Sequence, residues 1–484
     1  MGLDKMKNTL VLLFTLSLLS IGVKGQDVIL EEDWYNVPLK REITHPQPMT
    51  GVVFWPWRAS KVHSTYGQCI QLEFNYFEPC KMVKGCNEDG TIIYDWSSFD
   101  KTLRDVANRG HQLIARFFYI YPGDPNEEPA PTTVPQYIKD LPDYQETFVQ
   151  SAGTYYPDWS HSELERFTMQ FFTDFAARYA HDRRLAFLEI GFGHWAEYHI
   201  YPTPVKYGKN FPSMDFQKKF LLHIDEVIGD LPWLVSKGAA DDSPIPNDEE
   251  LMALRFGLFE DSFMGDYFVN GGYEKRWNSL SKGVRWHTSV FGGEIGPGEY
   301  ERLNFLNPEG LFGHTFEELA TKYNFTFAIS NAVTDSPHGT PERVKKASMS
   351  IGYRFVVEEC ISNGVKTKLR VTNKGIAPIY RDAYFAIGGV RSETSLRGLL
   401  PHAEMWVEID AKPLFDGQDI HIVCDHILPQ QEIEFEARLN PIDAIKPLFN
   451  DKSSDKRIYA PSGLLLDKPQ KGINIIDGHK VIIK

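Results

Sequence analysis

The chain has 484 residues, 42% hydrophobic, 24% charged and 13% aromatic, a globular balance that excludes a disordered protein. Lysine plus arginine number 51 against 65 aspartate plus glutamate, a net charge of −14; residues 1–25 hold Asp4 against Lys5, Lys7 and Lys24, so the remainder carries −16. A surface that acidic disfavours phosphate backbones and anionic membranes, and nucleic acid is not an expected partner.

The first element is a targeting segment. Lys5 and Lys7 precede the apolar run Leu10–Leu19, and small residues follow from Ser20 to Gly25. That order is the signature of a secretory signal peptide over residues 1–25, cleaved near Gly25–Gln26. A membrane anchor is the alternative, but the run is short for a span of about 20 residues. No later stretch is long and apolar enough to cross a bilayer, so the mature chain is expected to be exported, to the periplasm, cell surface or medium. Oligomeric state is not legible.

From residue 50 to 335, short apolar runs alternate with helical patterns. The expected strands are Gly51–Trp55, Ile70–Phe74, Gln112–Phe118, Ala186–Gly191, Trp233–Lys237, Leu254–Phe259, Val284–Val290 and Phe325–Ser330. Between them, Ser97–Asn108 reads as a helix with Leu103, Val106 and Ala107 on one face. Ser162 with Glu165 reads as a capping box opening a helix to Tyr179, and Thr315 with Glu318 as another. Eight strand–helix repeats over residues 26–340 predict an α/β fold, a (β/α)8 TIM barrel; an open doubly wound sheet is the alternative. Residues 121–161 follow the third strand and are rich in Pro, Tyr, Asp and Glu. Their aromatics, Tyr155, Tyr156 and Trp159, are either sugar-stacking surfaces or the loop's own small core.

After Pro341 the pattern changes to period-two runs with turn signals, such as Ser350–Val357, Thr367–Thr372 and Ile433–Leu439. A C-terminal antiparallel β-sandwich over residues 341–440 is expected. Residues 441–484 form a lysine-rich tail ending in a hairpin-like run, Lys471–Lys484. It resembles the short C-terminal sorting tails of exported proteins of the Bacteroidota phylum; an edge hairpin is the other reading. Cys80 and Cys86 are close enough to bridge, Cys360 and Cys424 could meet if their strands pair, and Cys69 sits in an apolar run. No metal spacing, CxxC, HExxH, Walker loop or GxGxxG occurs, so neither metal nor cofactor is expected.

In a barrel, catalytic residues hang from the C-terminal ends of strands. Strand four leads into Gly193-His194-Trp195-Ala196-Glu197-Tyr198-His199, and strand seven into Gly292-Gly293-Glu294. Two carboxylates flanking one site are what glycoside hydrolysis requires. Glu189, inside its strand, reads as structural, and Asp241, Asp242, Glu260 and Asp261 are the reserve carboxylates. Candidate substrate-binding residues are Trp55, Trp57, Arg58, Asn75, Tyr76, Arg116, His194, Trp195, His199, Asp261 and Asn331. The aromatics are placed to stack on sugars, and Arg58 or Arg116 to pair with a uronate or sulfate.

Glutamates at the ends of strands four and seven resemble the clan A retaining glycosidases. Over residues 40–440 the chain also resembles a bacterial family of glycosidase-like barrels with a C-terminal β-sandwich, much of it known only as domains of unknown function. The runs carrying that resemblance are Leu72–Tyr76, Gly193–His199, Gly292–Glu294 and Val371–Pro378. It implies a carbohydrate substrate, with Glu197 as acid/base and Glu294 as nucleophile in a retaining glycoside hydrolase. One departure is plain: clan A enzymes place Asn immediately before the acid/base, and here that residue is Ala196. A non-catalytic carbohydrate-binding protein on a decayed barrel, and a polysaccharide lyase, are the alternatives.

Overall fold

The computed structural model describes residues 34–439, 458–476 and 479–483; the expected signal segment and residues 441–457 of the tail lie outside them. Eight parallel strands close a barrel: β1 (Gly51–Phe54), β2 (Leu72–Phe77), β3 (Gln112–Phe117), β4 (Leu185–Ile190), β5 (Trp233–Ser236), β6 (Gly257–Phe263), β7 (Phe291–Ile295) and β8 (Phe327–Ile329). Closure is by β8 against β1, with Phe327, Ala328 and Ile329 opposite Gly51, Val52 and Val53. The strands are buried on both faces, which is why they read as continuous apolar runs rather than alternating ones. The expected TIM barrel is therefore what the chain forms.

The surrounding helices include α1 (Pro56–Tyr66), α2 (Ser97–Asn108), α3 (Ser162–Tyr179), α4 (Met214–Val227), α5 (Glu274–Ser281), α6 (Phe316–Lys322) and α7 (Pro341–Ser350). In α2, Phe99, Leu103 and Val106 recur at helical spacing and are buried. The Thr315–Glu318 capping box opens α6 as expected. Helix α3 departs from expectation: its N-cap is His161, whose ring accepts from the Glu163 amide at 3.2 Å, and Ser162 is already the first helical residue.

Strand seven is displaced from the expected run. Residues Arg285–His287 form a 3-10 turn, organised by the Arg285 guanidinium donating to the carbonyls of Met252, Leu254 and Leu280 at 2.6, 2.8 and 3.0 Å. Gly292 and Gly293, expected beyond the end of the strand, lie inside β7 instead. A Cβ at Gly292 would stand 2.4 Å from the Phe327 ring, and one at Gly293 would stand 2.9 Å from the Glu260 carbonyl. The Phe327 ring is itself buried and stacked on Phe187 at 5.5 Å, so it has nowhere to retreat. Gly292→Ala is accordingly expected to cost about 1–3 kcal/mol by overpacking, read as a lower urea midpoint at unchanged slope.

The second domain is a sandwich of two sheets. The larger runs Glu404–Ile409, Thr367–Asn373, Phe355–Ser362, Phe435–Leu439 and Leu39–Arg41, with Tyr35–Asn36 also pairing along Phe355–Ser362. The smaller is Val390–Arg391, Tyr384–Ile387 and Ile420–Val423. One pairing is not antiparallel: Phe355–Val357 runs parallel to Phe435–Ala437. Two other details differ from the sequence reading. Residues 35–41 join this sheet rather than the barrel, and α7 occupies residues 341–350, packing on β1 before the first sandwich strand. All five cysteines are free. Cys360 lies in the larger sheet and Cys424 just beyond a strand of the smaller, so their strands do not pair. The terminal run does form a hairpin, with Gly472–Ile476 antiparallel to His479–Ile483.

The sandwich sits under the N-terminal end of the barrel. Tyr380 donates to the Trp286 carbonyl ahead of β7 at 2.7 Å, Gln112 at the start of β3 donates to the His426 carbonyl at 2.8 Å, and Gln431 donates to Gln71 ahead of β2 at 2.8 Å. The C-terminal end, where the loops after the strands gather, is left open.

Candidate active site

In the long segment after β3, the aromatics Tyr156 and Trp159 serve the loop's own packing. Tyr156 and Trp159 are fully buried, and Trp159 packs on Tyr119, Phe192 and Phe216. Of the two readings for its aromatics, the loop's own core is the one realised for both residues.

The segment after β4 is built by close backbone approach. A Cβ at Gly191 would meet the Ala196 carbonyl at 2.1 Å, and one at Gly193 would meet the His199 carbonyl at 2.0 Å. The Gly193 amide donates to the Glu197 carbonyl at 2.7 Å, and the His194 amide to that of His199 at 3.0 Å. Trp195 and Ala196 adopt left-handed backbone, φ 53° and 59°, a conformation costing about 1–2 kcal/mol per non-glycine residue. This strained turn sets Glu197 over the barrel mouth. Ala196 is wholly buried and does not line the cleft.

A cleft of about 740 Å³ occupies the open end of the barrel. Of the residues expected at the site, Glu197, Glu294, Trp55, Trp57, Tyr76, Trp195, His199, Asp261 and Asn331 line it. Four do not. Arg58 is clamped bidentately by Asp335 at 2.7 and 3.0 Å. Asn75 alternates with Phe74 and Tyr76 and shares the side of Glu73, away from the cleft. His194 is buried with Nε2 2.8 Å from the Tyr156 hydroxyl. Arg116 lies beneath the cleft floor, committed to carboxylates of this chain rather than free for a uronate or sulfate.

Arg116 organises the floor. Its Nε and Nη2 face Glu189 at 2.7 and 2.6 Å, its Nη1 donates to Tyr76 at 3.0 Å, and the rings of Phe74 and Phe259 flank it at 4.8 and 4.4 Å. The same Nη1 lies 3.4 Å from Glu197 Oε1 and 3.6 Å from Glu294 Oε2. Two oxygens held that close to one nitrogen approach each other within about 7 Å. Glu189 thus has the structural part read from its strand position, neutralising a buried cation whose remaining charge faces both cleft carboxylates.

Burial sets the protonation of the pair. It pushes Glu197 up to about 8, against the pull of Arg116 and with the Glu294 charge adding to the rise. It pushes Glu294 up to about 6, again opposed by Arg116. His199 Nδ1 lies 3.2 Å from Glu197 Oε2, and burial, with Lys237 and Arg276 nearby, lowers its ring to about 4. At neutral pH Glu197 is therefore the member of the pair that holds a proton, beside a neutral imidazole, and Glu294 the member that loses it.

Several lining residues were not singled out from sequence. Tyr121, Tyr201, Lys237, Tyr273 and Arg276 carry no motif and come from four separate segments, Tyr273 and Arg276 sharing one. Lys237 pairs with Glu260 at 2.7 Å and contacts Asp261. Their common signal is position alone, at or beyond the C-terminal ends of the expected strands or at the helices that follow. Glu197, His199 and Asp261 each bring one ligand atom within 4.8 Å of the others, a donor set open to a divalent cation. The Lys237 ammonium already supplies positive charge at Asp261.

No protein-family model matches this chain, and no curated protein matches it. Among solved structures, it is similar to the catalytic domain of a β-amylase from Paenibacillus polymyxa at 12% identity, covering 63% of this chain and 99% of that one, TM-score 0.40. It is also similar to a lactosyl-enzyme intermediate of endo-glycoceramidase II from Rhodococcus sp. at 12% identity, covering 78% and 99%, TM-score 0.39. A trimodular endoglucanase matches at 10% identity, covering 81% and 78%, TM-score 0.36. At such identities the likeness is one of fold alone.

Proposed function

We propose that this protein is an exported glycoside hydrolase that cleaves a polysaccharide or its oligosaccharides with retention, using Glu197 as acid/base and Glu294 as nucleophile. The observation that carries the reading is the pair itself: two carboxylates on one arginine nitrogen, at 3.4 and 3.6 Å, on the floor of an aromatic-lined cleft. Their facing oxygens lie at most about 7 Å apart, close enough for both carboxyls to act on one glycosidic bond. Their unequal environments match the two tasks, one group keeping its proton and the other losing it.

In the first step the Glu294 carboxylate attacks the anomeric carbon while Glu197 gives its proton to the departing glycosidic oxygen. In the second, Glu197 takes a proton from water, the water oxygen attacks the same carbon, and Glu294 leaves as carboxylate. Arg116 remains a cation throughout and offsets whichever carboxylate is charged. His199 faces the Glu197 oxygen away from Arg116 and orients the proton.

The test is a panel of purified polysaccharides with three readouts: new reducing ends, unsaturated products absorbing in the ultraviolet, and the anomer first formed, by NMR. Reducing ends with the starting anomeric configuration are expected. Unsaturated products would identify a lyase, the inverted anomer would remove Glu294 as nucleophile, and binding without products would leave a carbohydrate-binding barrel.

A further inference from the structure

The cleft has two unlike walls. Along one, rings carried by β1–β4 and the loops after them touch in series: Trp55 to Tyr76 at 5.2 Å, Tyr76 to Tyr121 at 6.2 Å, Tyr121 to Trp195 at 6.1 Å and Trp195 to Tyr201 at 6.0 Å. At its rim Trp57, Tyr121 and Tyr201 are 48%, 44% and 49% exposed, far more than rings that serve only a core. The Arg58 guanidinium lies over the Trp57 ring at 4.6 Å and is itself fixed by Asp335, so Trp57 is held rather than loose.

The facing wall, from the ends of β5 and β6 and from α5, is charged but self-matched. Lys237 is paired with Glu260 and Asp261, and Arg276 with Asp241. Among the described residues, each lysine or arginine lining the cleft or lying beneath its floor already has a carboxylate partner. The lining holds five carboxylates against two cations, so the field in the cleft is negative even with Glu197 protonated. An incoming uronate or sulfate would meet repulsion and find no free guanidinium. An uncharged sugar chain would find apolar ring faces on one side and fixed donors and acceptors for its hydroxyls on the other.

We infer that the cleft binds an uncharged glycan chain lengthwise along the Trp55–Tyr201 ring series and rejects polyuronates and sulfated glycans. The inference names the substrate class for the hydrolase proposed above, and it rests on that reading only for the chemical step after binding, the cutting of linkages inside the chain.

The experiment is affinity electrophoresis of the full chain in gels containing uncharged polysaccharides (glucan, xylan, mannan, galactan) or acidic ones (polygalacturonate, alginate, carrageenan), with reducing ends assayed on the same polymers and on short aryl glycosides. At least one uncharged polymer should retard the protein, and no acidic one. Trp57→Ala and Tyr201→Ala, both at exposed positions, should each weaken that retardation about tenfold, equivalent to about 1.4 kcal/mol. Retardation by an acidic polymer, relieved by salt, would overturn the inference. So would the absence of retardation by any polymer, even if aryl glycosides are cleaved, in which case the proposed hydrolase survives and its chain-binding cleft does not. Retardation by an uncharged polymer with no cleavage of any substrate would uphold the inference and remove the hydrolase reading.

Discussion

Replacing Glu294 with glutamine is expected to lower kcat by at least about 10³-fold while sparing sugar binding, because the amide keeps the shape of the side chain but cannot attack carbon. The wild-type rate should follow a bell in pH. The working form has Glu294 ionised and Glu197 protonated; with Glu294 raised to about 6 and Glu197 to about 8 by burial, kcat/KM should rise through the first value and fall through the second. Glu197→Gln should remove the alkaline limb and penalise substrates with poor leaving groups most. Azide added to Glu197→Ala should restore part of the lost rate as an external nucleophile that needs no general base. Kinetics on a confirmed substrate check all of this. Full turnover in both glutamine variants would sink the assignment, and Asp261 and Asp241 would be tested next.

The largest effect on stability is expected at Arg116. Arg116→Met removes the cation shared by Glu189, Glu197 and Glu294 and leaves buried carboxylates without their counter-charge, a loss of about 3–5 kcal/mol. Burial by itself would lower the arginine's affinity for its proton, and the charges of Glu189 and its neighbours hold it above the ordinary value instead. Urea unfolding at neutral pH measures the loss. Adding Glu189→Gln to Arg116→Met should return part of it, since the most deeply paired anion is then gone as well. Because Arg116 lowers both cleft carboxyls, its removal should also move any remaining pH–rate limbs upward. A single variant as stable as the wild type would show that the floor carboxylates are protonated without Arg116.

The local periodicities of this chain determined its architecture. Continuous apolar runs of strand length, interleaved with helices such as Ser97–Asn108, require a parallel sheet buried on both faces, and eight of them close a barrel. The rule that such barrels work from the C-terminal ends of their strands then brings Glu197 and Glu294 into view from sequence position alone. What periodicity could not show was anything decided by a distant partner. Gly292 and Gly293 read as lying beyond strand seven until the Phe327 ring and the Glu260 carbonyl crowd them, and only then does the strand fall on residues 291–295. Arg116 reads as a ligand for an acidic sugar until the fold places Glu189, 73 residues away, against it. Tyr156 and Trp159 look like sugar platforms until the segment closes over them, while Tyr201, Lys237 and Arg276 carry no motif and gain their place from loops meeting across the barrel mouth. Helix and strand patterns are written between near neighbours in the chain, and the sequence carries them openly. Charge pairing and ring exposure depend on which segments meet in space, and only the tertiary structure decided those.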